Sequence, residues 1–295
     1  MENKALSCEK ARKYINKLLP PKPMVVLEPK RADDITVFDS KLGGVPYMPK
    51  EFEYPKGKSG AYEGRPLRLL AQLNFEKLPH IEDFPEKGIL QFFCSDDDDE
   101  SVNGLDFDNC TNQNGFRVIY HEKIISDESV LISEENISGY GFNEKDRCFP
   151  FNGEFLLIPH DPEKCQAELC VQTAENVLMK YMGETFGEEI QGFGDMRRSK
   201  HKDEYTALYD GLADNEANER TCIGGYPVFT QYDPRGNSEK LAGYDILLFQ
   251  SASHFGDDNN DDIMWGDMGI ANFFIKKDDL KNLDFSKVAY NWDCC

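Results

Sequence analysis

Several short stretches of the sequence carry residue types used in catalysis or ligand binding, yet none keeps the spacing that its chemistry requires. The tail of a phosphate-binding loop, Gly-Lys-Ser, stands at 57–59, but Phe52 occupies the place of the glycine needed five residues before Gly57. The runs 139–144 and 192–197 begin as Gly-x-Gly and lack the last glycine of a dinucleotide fingerprint. We therefore expect neither a nucleotide site nor any other cofactor.

Metal-binding patterns are also incomplete. An EF-hand loop starting at Asp257 needs Gly at its sixth position, where Asp262 stands, and Glu at its twelfth, where Met268 stands. Cys165 and Cys170 fall inside a predicted helix, which points their thiols to different faces, and the histidines form no His-Glu-x-x-His frame. We expect no metal site and interpret the cysteines as structural.

A catalytic nucleophile has no local signature. The sequence lacks the Gly-x-Ser-x-Gly elbow of serine hydrolases, and a Ser-His or Cys-His pair assembled by folding cannot be seen in a sequence. The 54 acidic residues are so many that a glycosidase-like carboxylate pair fits almost anywhere, which selects nothing. A small-molecule hydrolase with a site assembled only in the fold therefore stays as the alternative to a non-catalytic protein.

Composition narrows the class of partner. The net charge is −21 and the pI is near 4.6, so the chain repels nucleic acid, while a basic protein, a cationic peptide or a divalent metal would be attracted. The other interpretation of the negative charge is that it only keeps the protein soluble. Nine scattered cysteines, no secretory segment and no long apolar run predict a cytoplasmic protein without a membrane span.

The elements that must position any site are predicted helices and strands. Apolar residues at helical spacing predict an N-terminal helix, within residues 1–22, that ends at Pro20-Pro21 and packs on the body 23–295. A second helix is predicted to start at Asp161-Pro162 and to stop near Gly183, and a last short one spans about Lys277 to Leu283. Strands are predicted at 35–38, 67–73, 89–93, 116–120, 155–158, 244–250 and 270–275.

The chain also resembles itself. Leu-Gly-Gly-Val-Pro at 42–46 matches Ile-Gly-Gly-Tyr-Pro at 223–227, and a Gly-Ile pair follows the first glycine after 45 residues in both copies. Shared spacing with shared residue types predicts an internal duplication with β repeats at about 41–94 and 222–276, separated by a helical and strand insert. The sequence thus predicts an α+β fold: one internally duplicated, mostly antiparallel β body with peripheral helices.

Candidate binding residues are the polar and aromatic ones that differ between the copies. Shared residues maintain backbone geometry in a duplicated fold, so asymmetric ones are better placed to bind a ligand or a partner. Each of them also fits a turn-forming role, for example an Asp before Pro or an Arg pairing with a neighbouring acid. The candidates are Tyr226, Gln231, Asp233, Arg235, Trp265 and Asp267.

Two long stretches resemble a known family. The run 224–235 and the run from Ile263 to Cys295 are similar to the C-terminal signature of the YwqG-like family of bacterial proteins, a domain of unknown function, and Lys41 to Phe93 resembles its earlier block. Departures are Met268 in a turn that usually reads Trp-Gly-Asp-Ser-Gly, and the missing acidic residue after Gln250. The resemblance implies an α+β fold, a cytoplasmic location and no established activity or catalytic residues.

Together these patterns predict a non-catalytic binding module. Relatives of the family that lie near secreted-toxin loci suit an immunity-like or interaction role, with a basic or toxin-like protein or a small ligand as the partner.

Overall fold

The structure is a computed structural model that describes residues 6–96, 99–142, 149–213, 220–236, 238–256 and 263–295. Parts of the sequence predictions lie outside these ranges. They are Cys148, residues 97–98 of the acidic run 96–104, the acidic loop 257–262, and most of the EF-hand comparison that starts at Asp257.

One β-sheet with short helices packed against it forms the described part of the chain. The helices are α1 (Cys8–Leu18), α2 (Glu134–Ile137), α3 (Gln172–Phe186), α4 (Phe193–Arg198), α5 (Lys202–Asp210) and α6 (Lys277–Lys281). The strands are β1 (Lys22–Lys30), β2 (Lys41–Gly43), β3 (Arg68–Asn74), β4 (Ile89–Cys94), β5 (Phe116–His121), β6 (Glu154–Pro159), β7 (Glu163–Cys165), β8 (Cys222–Gly224), β9 (Ile246–Ala252), β10 (Ile270–Ile275) and β11 (Ala289–Asp293).

The sheet runs in the order β11-β10-β9-β8-β1-β6-β2-β3-β4-β5, with β7 paired to β1, and the paired strands are antiparallel. Its two ends meet across the core. The rings of Phe92 in β4 and Phe249 in β9 are stacked, with their centres 5.0 Å apart. The ring centres of Phe116 in β5 and Tyr290 in β11 are 5.1 Å apart, although these strands are far apart in the strand order. The sheet is therefore curled around an aromatic core, and the predicted α+β class with a mainly antiparallel body is confirmed.

The centre of the sheet joins two matching halves. The first half contains β2 to β5 and the second contains β8 to β11. At the centre β1 and β6 pair symmetrically, with Leu27 opposite Pro159 and Pro29 opposite Leu157. Each central strand then pairs outward with the same geometry, because β1 meets β8 and β6 meets β2.

The register of these two outward pairings is equivalent. Met24 of β1 lies opposite Gly224, and Glu154 of β6 lies opposite Gly43. The next strands outward, β3 and β9, also make equivalent side-chain hydrogen bonds. The Gln72 side chain accepts a hydrogen bond from the Tyr47 backbone N–H at 2.7 Å, and the Gln250 side chain accepts one from Val228 at 2.9 Å.

The two Gly-Gly pairs explain this close pairing. Gly43, Gly44, Gly224 and Gly225 all have φ between 67° and 73°, a left-handed conformation that glycine adopts without steric cost. A Cβ at Gly43 would collide with the carbonyl oxygen of Gly153, and one at Gly224 would collide with that of Pro23. The glycines therefore let the chain turn directly against the central strands.

The outer face of the sheet differs between the halves. Over the second half, α1 and α3 bury apolar side chains against the strands, and Ala11, Ile15 and Leu178 join Met24 and Cys222 in one cluster. The predicted N-terminal helix is thus confirmed as α1, whose first turn is capped by Ser7. Over the first half the outer face is covered by loop residues instead, among them Met48, Leu67 and Leu131.

Two predicted elements are wrong. Residues 35–38 form a turn rather than a strand, because the Asp39 carboxylate accepts hydrogen bonds from the backbone N–H and the hydroxyl of Thr36. The predicted start of a helix at Asp161-Pro162 is also wrong, since Glu163–Cys165 pairs with β1 and α3 begins only at Gln172. That helix runs past Gly183 and ends at Phe186, followed by Gly187 as a left-handed cap with φ of 72°.

The remaining strand predictions are confirmed within two residues at each end, while β1, β2, β7, β8 and β11 were not predicted as strands. The short helix near Lys277 is confirmed as α6. No helix in the described ranges combines the length and apolarity that crossing a bilayer requires.

Candidate functional site

The six residues selected from the sequence do not converge on one cleft. Three of them, Gln231, Asp267 and Trp265, contact the last residues of the chain. Gln231 donates from its side chain to the carbonyl oxygen of Cys294 at 2.7 Å and from its backbone N–H to the carboxylate of Asp293. The carbonyl oxygen of Asp267 accepts a hydrogen bond from the backbone N–H of Cys295. Trp265 is fully buried, donates to the Ser251 hydroxyl at 3.2 Å and packs on the ring of Trp292.

Asp233 and Arg235 form a clamp inside the turn that contains them. The guanidinium group donates twice to the carboxylate, at 2.8 Å for each bond, and a third time to the carbonyl oxygen of Tyr244. It also lies 4.4 Å from the centre of the Phe274 ring. The carboxylate is nearly buried, with 3% of its side chain exposed, so this ion pair fixes the loop against β10.

Tyr226 lies apart from the others, at the end of α1. It is buried, and its hydroxyl donates to the carbonyl oxygen of Pro20 at 2.9 Å. None of the six residues lines the cleft described next.

A two-chambered cleft opens on the outer face of the first half. Its chambers have volumes of about 290 Å³ and 540 Å³ and share Val45, Glu134 and Glu154 as a common wall. The walls are apolar side chains from the loops and from α2, and the charges are three basic and three acidic groups. The apolar lining includes Ile35, Val37, Val45, Leu131, Ile132, Ile137 and Phe142, and the charged lining includes Lys41, Lys50, Arg68, Glu128, Glu134 and Glu154.

Lys41 lies at the floor of the smaller chamber. Its residue is 1% exposed, and its ammonium group is 3.2 Å from a carboxylate oxygen of Glu154, whose side chain is 36% exposed. Burial lowers the pKa of Lys41, and the Glu154 carboxylate opposes part of that shift. Within the described ranges this carboxylate is the hydrogen-bond acceptor of the ammonium group. The arrangement is a desolvated amine beside a more exposed carboxylate.

The larger chamber has a second buried cation. Arg68 is 4% exposed, and its guanidinium nitrogen lies 3.6 Å from a carboxylate oxygen of Asp96. Its guanidinium carbon lies 4.1 Å from the centre of the Phe149 ring. Asp96 is 1% exposed, so both charges are removed from water. Because a buried cation needs a paired anion, Asp96 compensates Arg68 much as Glu154 compensates Lys41.

The second half shows what this position looks like without a cleft. Cys222 stands opposite Gln250 as Lys41 stands opposite Gln72, and Met24 takes the place of Glu154. Met24 and Cys222 are buried under the helices and belong to an apolar cluster. The same backbone register therefore holds an apolar pair in one half and an ion pair facing a cleft in the other.

Sequence reasoning missed Lys41 although a signal was present. The residue immediately before the shared Leu/Ile-Gly-Gly motif is Lys41 in the first copy and Cys222 in the second. The six candidates all follow the motif in the second copy, whereas this charged difference stands immediately before it in the first. In the described ranges no group of three or more His, Cys, Asp or Glu side chains is placed to share a metal ion.

Comparison with known proteins places the chain in a family. Among curated proteins, none matches the chain with significant similarity. The profile of a family described as "Domain of unknown function (DUF1963)" matches residues 40–294, which includes β2 to β11 and the cleft lining apart from Ile35 and Val37. This match confirms the resemblance to a domain of unknown function that the Gly-Gly and C-terminal motifs indicated. The chain therefore belongs to the DUF1963 family.

Proposed function

We propose that the protein is a ligand-binding module and that the cleft over the first half takes a small molecule with an apolar body and a polar head. One observation carries the proposal: Lys41 keeps a buried charge at the floor of a cleft, at the register position where the other half buries the apolar Cys222. An ion pair whose cation is buried contributes little net stability compared with an apolar pair, so a binding role explains the presence of Lys41 better than a stabilising one.

The lining supports an organic ligand over a metal ion or a nucleic acid. Apolar walls with a few polar groups are typical of small-molecule pockets, and the chambers have the volumes that such pockets have. A hydrolase has less support, because the hydroxyl of Ser133 in this lining donates to Asn136 rather than to a general base.

Two further statements belong to this proposal. The matched registers support an origin of the two halves by internal duplication, with helices covering the second half and the cleft left open over the first. The described cysteines are free thiols, which supports a reducing compartment such as the cytoplasm.

Thermal unfolding with three six-carbon probes tests the proposal: hexanol, hexylamine and hexanoate share a tail and differ in head group. At about one hundred times its Kd, a probe that binds only the folded state adds about 2.7 kcal/mol to the free energy of unfolding. We expect at least one probe to raise the Tm of the wild-type protein. It should lose this effect in Val45→Trp, because the larger side chain would fill the cleft where the two chambers meet.

Leu18→Trp is the matched control, because Leu18 is 47% exposed on α1, over the other half. It should keep the wild-type response. Equal responses of all three proteins, or no response to any probe, would exclude the cleft as the binding site for such molecules.

A further inference from the structure

We propose that Lys41 captures an aldehyde or ketone in the cleft as an imine, an inference that rests on the proposed binding function and assigns it a ligand class. The nucleophile is the Lys41 amine and the proton carrier is the Glu154 carboxylate, 3.2 Å away.

The position of Lys41 satisfies the first requirement, a desolvated amine that faces a cavity. The side chain is 2% exposed, so the amine is shielded from bulk water, and Lys41 is one of the residues that line the smaller chamber. Burial disfavours the charged form, and only the neutral amine has the electron pair that attacks a carbonyl carbon. Lysines desolvated in this way are the ones used as carbonyl nucleophiles.

Glu154 satisfies the second requirement, a group that accepts and returns a proton. It is the acceptor of the ammonium proton in the structure, and its partly exposed side chain lies on the wall shared by both chambers. The Met24 and Cys222 pair of the other half has neither function.

The reaction balances with these two groups and the ligand. Glu154 takes a proton from the Lys41 ammonium group, and the amine electron pair forms a bond to the carbonyl carbon as the carbonyl π electrons move to oxygen. A proton passes from nitrogen to that oxygen to give a carbinolamine. The protonated Glu154 then gives its proton to the hydroxyl, water leaves, and nitrogen forms a protonated C=N bond. The net change is ammonium plus carbonyl to iminium plus water, with no oxidant or reductant.

The walls indicate what the carbonyl compound carries. Val37 and Leu131 line the smaller chamber and Ile137 and Phe142 line the larger one, while Val45 belongs to both. An apolar tail lying along these side chains would place its carbonyl head at Lys41. An aliphatic aldehyde with several carbons therefore fits better than formaldehyde or a sugar.

The test is reductive trapping with hexanal and sodium cyanoborohydride on the intact protein, followed by peptide mass spectrometry. Lys50 is the internal control, because it lines the same cleft and is exposed, with its ammonium group on the carbonyl oxygen of Ser129. We expect the hexyl adduct to form at Lys41 roughly tenfold faster than at Lys50, since binding in the cleft holds the aldehyde beside one amine. Labelling of Lys41 no faster than Lys50 overturns the proposal.

Hexanol separates this inference from the binding proposal, because it has the same tail without a carbonyl group. Stabilisation by hexanol in wild type but not in Val45→Trp, together with no preference for Lys41 in trapping, would leave binding in place and remove the imine. Loss of preferential trapping in Val45→Trp supports the inference, provided that circular dichroism shows the variant folded.

Discussion

Lys41 and Cys222 hold the same register position in the two halves of one sheet. Each is the first residue of its strand, each lies opposite a buried glutamine of the next strand, and each precedes a Gly-Gly turn. One side chain is a cation in a cleft and the other is a thiol under helices. The second half thus serves as a natural reference for what the first half tolerates at this point.

Removing Glu154 alone should destabilise the protein, because Lys41 would then be buried without its anion. We expect Glu154→Met to lower the free energy of unfolding by about 3 kcal/mol in urea denaturation. The double variant Lys41→Met/Glu154→Met resembles the Met24 and Cys222 pair of the second half and should recover to within about 1 kcal/mol of wild type. A double variant as unstable as Glu154→Met would show that the ion pair itself stabilises the fold.

Gly44 provides a backbone test of the same pair. A Cβ on this residue would meet the Glu154 carboxylate and push it away from Lys41. Gly44→Ala should therefore cost about 1–2 kcal/mol more than Gly64→Ala, which has the same left-handed φ and open space around it.

The extra cost should vanish when both glycine variants are made in the Lys41→Met background, because no buried cation then depends on Glu154. An unchanged difference between the two glycine positions would point to crowding alone.

His121 should make stability sensitive to mild acid. Burial lowers its pKa to about 4, and its Nε2–H donates to the Gln91 side chain. That assignment follows because the Gln91 amide nitrogen is used for Tyr47 and Gln72, which leaves its oxygen as the acceptor. An unfolded histidine titrates near 6.5, so as the pH falls below about 6.5 the unfolded chain binds the proton first, and stability is lost until about pH 4.

We expect the free energy of unfolding to fall by about 2 kcal/mol between about pH 7.5 and pH 5 on account of this group. His121→Gln keeps a donor for Gln91 and should remove that part of the slope. The comparison must be wild type minus variant, because burial raises the pKa of Asp293, which gives a contribution of the opposite sign. Parallel pH profiles would contradict the prediction.

Arg235 should matter for stability rather than for the cleft. Arg235→Ala leaves the nearly buried Asp233 carboxylate without its bidentate partner, and we expect a loss of about 2–4 kcal/mol. Lys13→Ala is the matched control, because it removes only the exposed pair with Glu9 and should lower stability far less. If Arg235→Ala kept wild-type stability and lost probe binding, the sequence-based assignment of this loop as a binding site would be supported.

Strand positions with strong apolar patterns could be predicted from the sequence, and positions decided by distant pairing could not. The segment Ile270–Ile275 was predicted at its observed bounds because five of its six residues are apolar. In contrast, β1 contains Pro23 and Pro29, which argue against a strand locally, yet it is the central strand that joins the halves. Its pairing with β6 and β8 outweighs the local signal.

For the candidate site, too, local features could be predicted from the sequence and features that depend on distant contacts could not. The sequence correctly marked the Gly-Gly motif as a backbone feature and the Asp233–Arg235 couple as a candidate turn network. It could not show that helices cover one copy and leave the other open, because that depends on where the insert packs. Lys41 becomes chemically distinctive only through burial beside Glu154, which lies more than one hundred residues further along the chain.

Because β1 pairs with β8, the sheet can be completed only after the second half has been synthesised. Once β6 has emerged, the first half can pair β1-β6-β2-β3-β4-β5, but the other edge of β1 stays unpaired until Cys222–Gly224 has been made. Open strand edges favour association with other chains. The short β7 does not cover that edge: Met24 pairs with both Glu163 and Gly224, so β7 and β8 lie on opposite edges of β1, and β7 continues the β6 side. The nascent chain therefore carries an open edge at β1 until the second half arrives.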